Sequence, residues 1–217
     1  MSLKNIEETN RVFMSNLPGF IRELNSGDLQ KIWRAAGGHP GRLLIRILWE
    51  TGMQLREAVA LKIEDINLDA GTIRIVATEE SSIRRGKGRA ITGKRKRDER
   101  WISIPPVLYY PLCRACHGRD ATEFLCYCRH PHAPLSSRTL ECFLKQLGAR
   151  LNLESLSSTH LRDTFILYNL RNGIPAEALQ EHLGYRNRQP LKRYMRYLGL
   201  HDKAPHSPTR HLEKRRA

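Results

Sequence analysis

The sequence predicts a mainly α domain with a small antiparallel β-sheet, an α+β fold. Three observations carry that expectation. Apolar residues recur at helical spacing from Asp28 to Lys62 and again from Ser136 to Leu198. Two-residue alternation is confined to short runs, Thr72-Ile-Arg-Ile-Val76 and Trp101-Ile-Ser-Ile104, on either side of a basic excursion. Hydrophobic residues form 40% of the 217-residue chain, so a net charge of +15 sits on a globular sequence and not on a disordered polycation.

The elements follow in order. Residues 1–27 are polar around Phe13, with a Leu-Pro-Gly-Phe turn at 17–20, and read as an arm or linker. Helical signals begin at Asp28. Arg42–Trp49 is apolar on nearly every side, as in a buried helix; Thr51-Gly52 interrupts it, and Met53–Lys62 resumes with Leu55, Ala58, Val59 and Leu61 at helical spacing. Asp69-Ala-Gly71 is a turn into the first strand, and Trp101–Ile104 closes the excursion before Pro105-Pro106. Residues 124–127 read as a short third strand. Four helices complete the domain. Ser136 or Ser137 caps the first, which carries Leu140, Phe143, Leu144 and Leu147. Ser158 or Thr159 opens the second, with Leu161, Phe165 and Tyr168 on one face and Gly173 at its end. Pro175 starts the third, ended by Gly184, and Pro190 starts the fourth, which runs to about Leu198. The expected division is an arm at 1–27, a domain at 28–200 and a basic tail at 201–217.

Charge narrows the function. Between Arg84 and Arg100 there are nine basic residues, Arg84, Arg85, Lys87, Arg89, Lys94, Arg95, Lys96, Arg97 and Arg100, against Asp98 and Glu99. Bracketed by strands, this run reads as a hairpin aimed at a polyanion, and nucleic acid is the expected partner. No apolar run approaches the roughly 20 residues of a membrane span, and the N-terminus lacks the order of a secretory signal. The expectation is a cytoplasmic, nucleoid-associated protein.

Four segments, taken together, resemble the catalytic domain of the tyrosine recombinases of the lambda-integrase type. Thr51-Gly-Met-Gln-Leu-Arg-Glu-Ala-Val-Ala-Leu61, with Glu64-Asp-Ile66 after it, is similar to the family's first arginine box. The basic hairpin 94–104 looks like the turn that carries its lysine. Thr159-His-Leu-Arg-Asp-Thr-Phe165 resembles the histidine–arginine box, and His182-Leu-Gly-Tyr185 with Tyr194 nine residues on resembles the segment that ends in the nucleophile.

The resemblance implies a double-stranded DNA partner, a homodimer or tetramer on DNA, no cofactor, and a chain without the family's separate DNA-clamping domain. It implies roles as well. Tyr194 attacks a backbone phosphate, leaving a 3′-phosphotyrosyl bond and a free 5′-hydroxyl. Arg162 and a second arginine neutralise the charge that builds on the non-bridging oxygens. Lys94 or Lys96 protonates the departing oxygen. Glu57 matches the acid of the first box and is read as orienting its neighbours. Three positions depart from the pattern: Gln54 stands where the first arginine belongs, Thr159 where one histidine belongs, and Tyr185 where the other belongs. His182, three residues before Tyr185, is the best placed substitute. Arg56 lies about 200° around a helix from Gln54, and His160 about 100° from Thr159, so both are expected to contact DNA more readily than the reacting phosphate. The departures leave a second reading open, a catalytically impaired homologue acting as a DNA-binding accessory or regulatory module.

Four of the five cysteines cluster as Cys113-x-x-Cys116 and Cys126-x-Cys128. The first spacing suits half of a tetrahedral zinc site; the second is tighter than usual. Reduced thiols are the expected state, with structural zinc, and a zinc-stabilised nucleic-acid binder, as the alternative.

Overall fold

The computed structural model describes residues 23–76, 99–153 and 156–200. The basic residues from Arg84 to Arg97, including Lys94 and Lys96, and the tail from 201 onward lie outside the described residues. Helix α1, Ser26–Ala35, is closed by a capping box: the Asn25 side chain accepts from the Asp28 N–H at 2.8 Å, and the Asp28 carboxylate accepts from the Asn25 N–H at 3.3 Å. Packing starts before this helix. Leu24 is buried, and its N–H donates to Thr164 Oγ1 at 3.0 Å, so the last residues of the expected arm belong to the domain.

Helix α2, Arg42–Thr51, buries Leu44, Ile45, Ile47 and Leu48 and is the centre of the larger core. It ends at Gly52, whose left-handed φ of 62° favours glycine; an added Cβ would also lie 2.2 Å from Phe165 Cδ1. Threonine followed by glycine is thus a stop signal and a packing requirement at once. Helix α3, Leu55–Ala60, follows, then a 3₁₀ turn at Ile63–Asp65.

Strands β1 (Ile66–Asn67), β2 (Thr72–Val76) and β3 (Glu99–Ser103) form an antiparallel sheet in the order β1-β2-β3. Ile73 pairs with Ile102 on the core face, and Arg74 pairs with Trp101 on the other. Arg74 reaches back to Asp65 at 2.8 Å, tying the sheet to the end of the first box. The third strand is therefore β1 and not residues 124–127. That segment makes isolated bridges, Lys62 with Phe124 and Tyr127 with Pro134, because it runs as an irregular loop across the end of α3.

Helices α4 (Pro106–Cys116), α5 (Ser137–Arg150), α6 (Ser158–Arg171), α7 (Ala176–Leu183) and α8 (Gln189–Tyr197) complete the described chain. α6 packs along α2, while its far face, with Ile166, Leu167 and Leu170, builds a second cluster with Leu179, Leu183, Leu191 and Tyr194 from α7 and α8. The domain is thus two apolar cores sharing α6, and Arg162 and His182 lie where they meet. Among the described residues, no helix is long and apolar enough to cross a membrane.

Candidate active site

Arg162 occupies the second turn of α6. Its Nη1 donates to the carbonyl of Gly52, its Nη2 to the carbonyl of Leu183 at 3.3 Å, and its Nε lies 3.4 Å from the Tyr185 hydroxyl. The guanidinium also stacks 5.0 Å from the Tyr185 ring centroid. Among the described residues these partners are neutral, so no carboxylate is bonded to the Arg162 guanidinium there. Three segments of the resemblance meet on this one side chain: the Thr-Gly stop of α2, the arginine box of α6 and the end of α7.

His182 braces the same junction. Its Nε2–H donates to the carbonyl of Thr51 at 2.8 Å, and its ring stacks on Phe165 with centroids 5.4 Å apart. Burial first, then Arg100 and Arg162, hold the imidazole below its ordinary value, so it is neutral and committed to a carbonyl. The unfolded chain takes up this proton near pH 6.5, its ordinary value, and the folded protein resists it. Stability from this residue is therefore full above about pH 6.5 and falls as pH drops below it. We expect His182→Gln, whose amide can still donate to Thr51, to lose less urea stability than wild type between about pH 7.5 and about pH 5. His39, held low by burial, leaves a residual slope. Equal losses in the two proteins would contradict this.

Tyr194 is 1% exposed. Its hydroxyl donates to Asp163 Oδ1 at 2.6 Å and accepts from Arg193, whose Nη2 also lies 3.2 Å from the same carboxylate oxygen. Burial pushes the phenol well above its ordinary value, with Arg193 opposing and Asp163 reinforcing that shift. Asp163 directly follows Arg162, so the phenol is held one helical step, about 100°, from the arginine. Tyr185 connects the two, since it touches Arg162 and also packs against the cluster that contains Tyr194.

The other expected residues fall as follows. Gln54 caps α3 with an exposed side chain, and Arg56 is exposed on the same helix. Thr159 is exposed in the first turn of α6, and His160 is half-buried with Nδ1 3.2 Å from Ser157 Oγ. Glu57 orients its surroundings: it accepts the Gln54 N–H at 2.8 Å and pairs with both terminal nitrogens of Arg100. Sequence reading missed three participants, Arg100, Asp163 and Arg193. Asp163 was visible as an acid inside the arginine box, whereas no local signal connects Arg100 to Glu57.

The cysteines do not converge. Cys126 is buried, with its thiol pushed up to about 12 by desolvation, while Cys113 and Cys128 are exposed. Among the described residues no group of three or more His, Cys, Asp or Glu could hold a metal ion, so the four-cysteine zinc arrangement is not formed there.

A small antiparallel sheet among helices, with Arg162, His182 and Tyr185 from two of the motifs gathered at one junction, is the catalytic-domain fold of the tyrosine recombinases. The chain matches the phage integrase family over residues 23–199 and belongs to it. It is 26% identical over 171 residues to the tyrosine recombinase XerD of Staphylococcus aureus, covering 78% of this chain and 53% of that protein. It is 30% identical over 163 residues to the tyrosine recombinase XerA of Pyrococcus furiosus, covering 74% and 51%. Among solved structures, the XerH site-specific recombinase in a pre-cleavage complex with its difH substrate superposes with a TM-score of 0.57 at 21% identity, covering 82% of this chain and 50% of that one. The chain spans about half the length of the curated relatives it matches.

Proposed function

We propose that this chain is a site-specific DNA recombinase that breaks and rejoins duplex DNA through a 3′-phosphotyrosyl intermediate. The observation that carries this reading is Arg162, fixed by the carbonyls of Gly52 and Leu183 with no ion-pair partner among the described residues, one residue before the carboxylate that holds Tyr194. In the reaction the Tyr194 oxygen gives up its proton to solvent and bonds to phosphorus as the P–O5′ bond breaks, and the 5′-oxygen takes a proton from Lys94 or Lys96. The free hydroxyl then attacks the phosphotyrosyl bond of another strand and releases the phenol. Bond for bond the exchange is balanced, so no metal or nucleotide is required. Arg162 stabilises the non-bridging oxygens, with the exposed amide of Gln54, Thr159 and the Tyr185 hydroxyl as neutral donors. Arg56, His160 and the basic run carry backbone affinity, and a homodimer or tetramer on paired sites brings the strands together in the cytoplasm.

Nicked duplexes with a randomised centre test the reading, because a short strand lost beside the nick traps the intermediate. The expected product is a protein–DNA adduct that survives denaturing electrophoresis. Firm binding without any adduct would instead mark an accessory module. The basic run gives a second expectation. Replacing Lys94, Arg95, Lys96 and Arg97 with alanine should flatten the plot of log affinity against log salt by about 3 to 4 units. An unchanged slope would place the DNA elsewhere.

A further inference from the structure

Stabilising both non-bridging oxygens calls for two strong donors, yet position 54 offers only a neutral amide. A second guanidinium nevertheless reaches this junction from the sheet. Arg100, on β3, donates through Nε to the carbonyl of His182 at 3.0 Å, and Arg162 donates to the next carbonyl along, that of Leu183. The two guanidiniums are thus anchored on consecutive carbonyls at the end of α7. Arg100 is also tied to the first box: Nη1 and Nη2 grip the two oxygens of Glu57 at 2.7 and 2.8 Å, and Glu57 holds the Gln54 N–H.

The seat is shaped for this side chain. Gly184 ends α7 with a φ of 69°, and an added Cβ there would lie 2.8 Å from Arg100 Nη1 and 3.0 Å from Cζ. Among the described residues these bonds use three of the five N–H groups, leaving one on each terminal nitrogen. The side chain keeps 20% of its surface exposed. Glu57 offsets the charge, which leaves two donors held in a fixed fork as the active feature.

We propose that Arg100 is the second guanidinium at the scissile phosphate, supplying from β3 the donors that position 54 lacks. This rests on the recombinase reading above. A structural brace and a phosphate contact both predict a slower variant, so the test must alter the phosphate. The substrate is the duplex recovered from the nicked pool, made with either an ordinary phosphodiester or a methylphosphonate at the cleaved position. The methylphosphonate removes a charged oxygen acceptor.

Arg100→Ala is expected to slow adduct formation about 100-fold on the phosphodiester, the cost of losing an oxyanion donor, and less than about 10-fold on the methylphosphonate. An equal factor on both substrates would overturn the assignment and leave Arg100 as a brace for Glu57. If thermal melting shows Arg100→Ala unfolded, Arg100→Lys is read in its place: it keeps a cation beside Glu57 but lacks the fork, and the same contraction is expected. Absence of any wild-type adduct defeats the recombinase reading itself, a result distinct from either.

Discussion

Tyr194→Phe is expected to abolish covalent capture of DNA, to below detection, while duplex affinity stays within about twofold, since phosphate contacts set affinity. Phenylalanine keeps the ring that fills the cluster of Ile166, Leu170 and Leu191. What disappears is the nucleophilic oxygen and its bond to Asp163. Leaving that buried carboxylate with Arg193 as its side-chain partner among the described residues should cost about 1–3 kcal/mol of stability, readable as a lower urea midpoint. The pairing of outcomes matters. A small loss of stability with total loss of adduct marks the oxygen as the reactant. An adduct that persists in Tyr194→Phe would move the nucleophile, with Tyr197 the nearest exposed phenol on α8.

Arg162→Ala is the second large effect. Removing a charged donor to a developing oxyanion slows reaction by about 10²–10³-fold. Here the change also strips donors from the carbonyls of Gly52 and Leu183, which should cost a further 1–3 kcal/mol or so of stability. Arg162→Lys separates the two roles. It retains the charge and loses the planar fork, so its rate should fall between those of alanine and wild type. Single-turnover adduct formation at saturating duplex is the measurement. A wild-type rate for Arg162→Ala, in a protein that still melts cooperatively, would remove Arg162 from the reaction.

Much of the fold was legible because its signals are local. Proline and glycine bracket α7, serine opens α5 and α6, and the alternation of β2 and β3 is short but clean. The third strand was misplaced for a physical reason: Ile66–Asn67 is only two residues long, too short for any alternation to register. Residues 124–127 carry strand-like side chains because Leu125 and Cys126 are buried, although their backbone makes only isolated bridges. Within the same segment Cys126 is buried while Cys128, two residues on, is exposed.

The site was legible wherever a motif supplied the register and obscure wherever partners are distant. Arg162 on α6 and Tyr194 on α8 were brought forward by the motif order. Arg100 was counted as one more charge in a basic run, because its contact with Glu57 spans 43 residues. His182 illustrates the opposite limit. Its position at the end of α7 was readable, but only the fold reveals that its Nε2–H is taken by Thr51 and that the ring is a brace. Burial of the Tyr194 hydroxyl on Asp163 was equally invisible, since amphipathic spacing fixes which face is apolar and says nothing of where a phenol's oxygen ends.

The most direct measurement is mass spectrometry of the trapped protein–DNA adduct after nuclease and protease digestion. The account predicts a nucleotide remnant attached through its 3′-phosphate to the peptide holding Tyr194, on that residue. Attachment at Tyr185, Tyr197 or a serine, or no adduct at all from protein that binds the duplex, would contradict it.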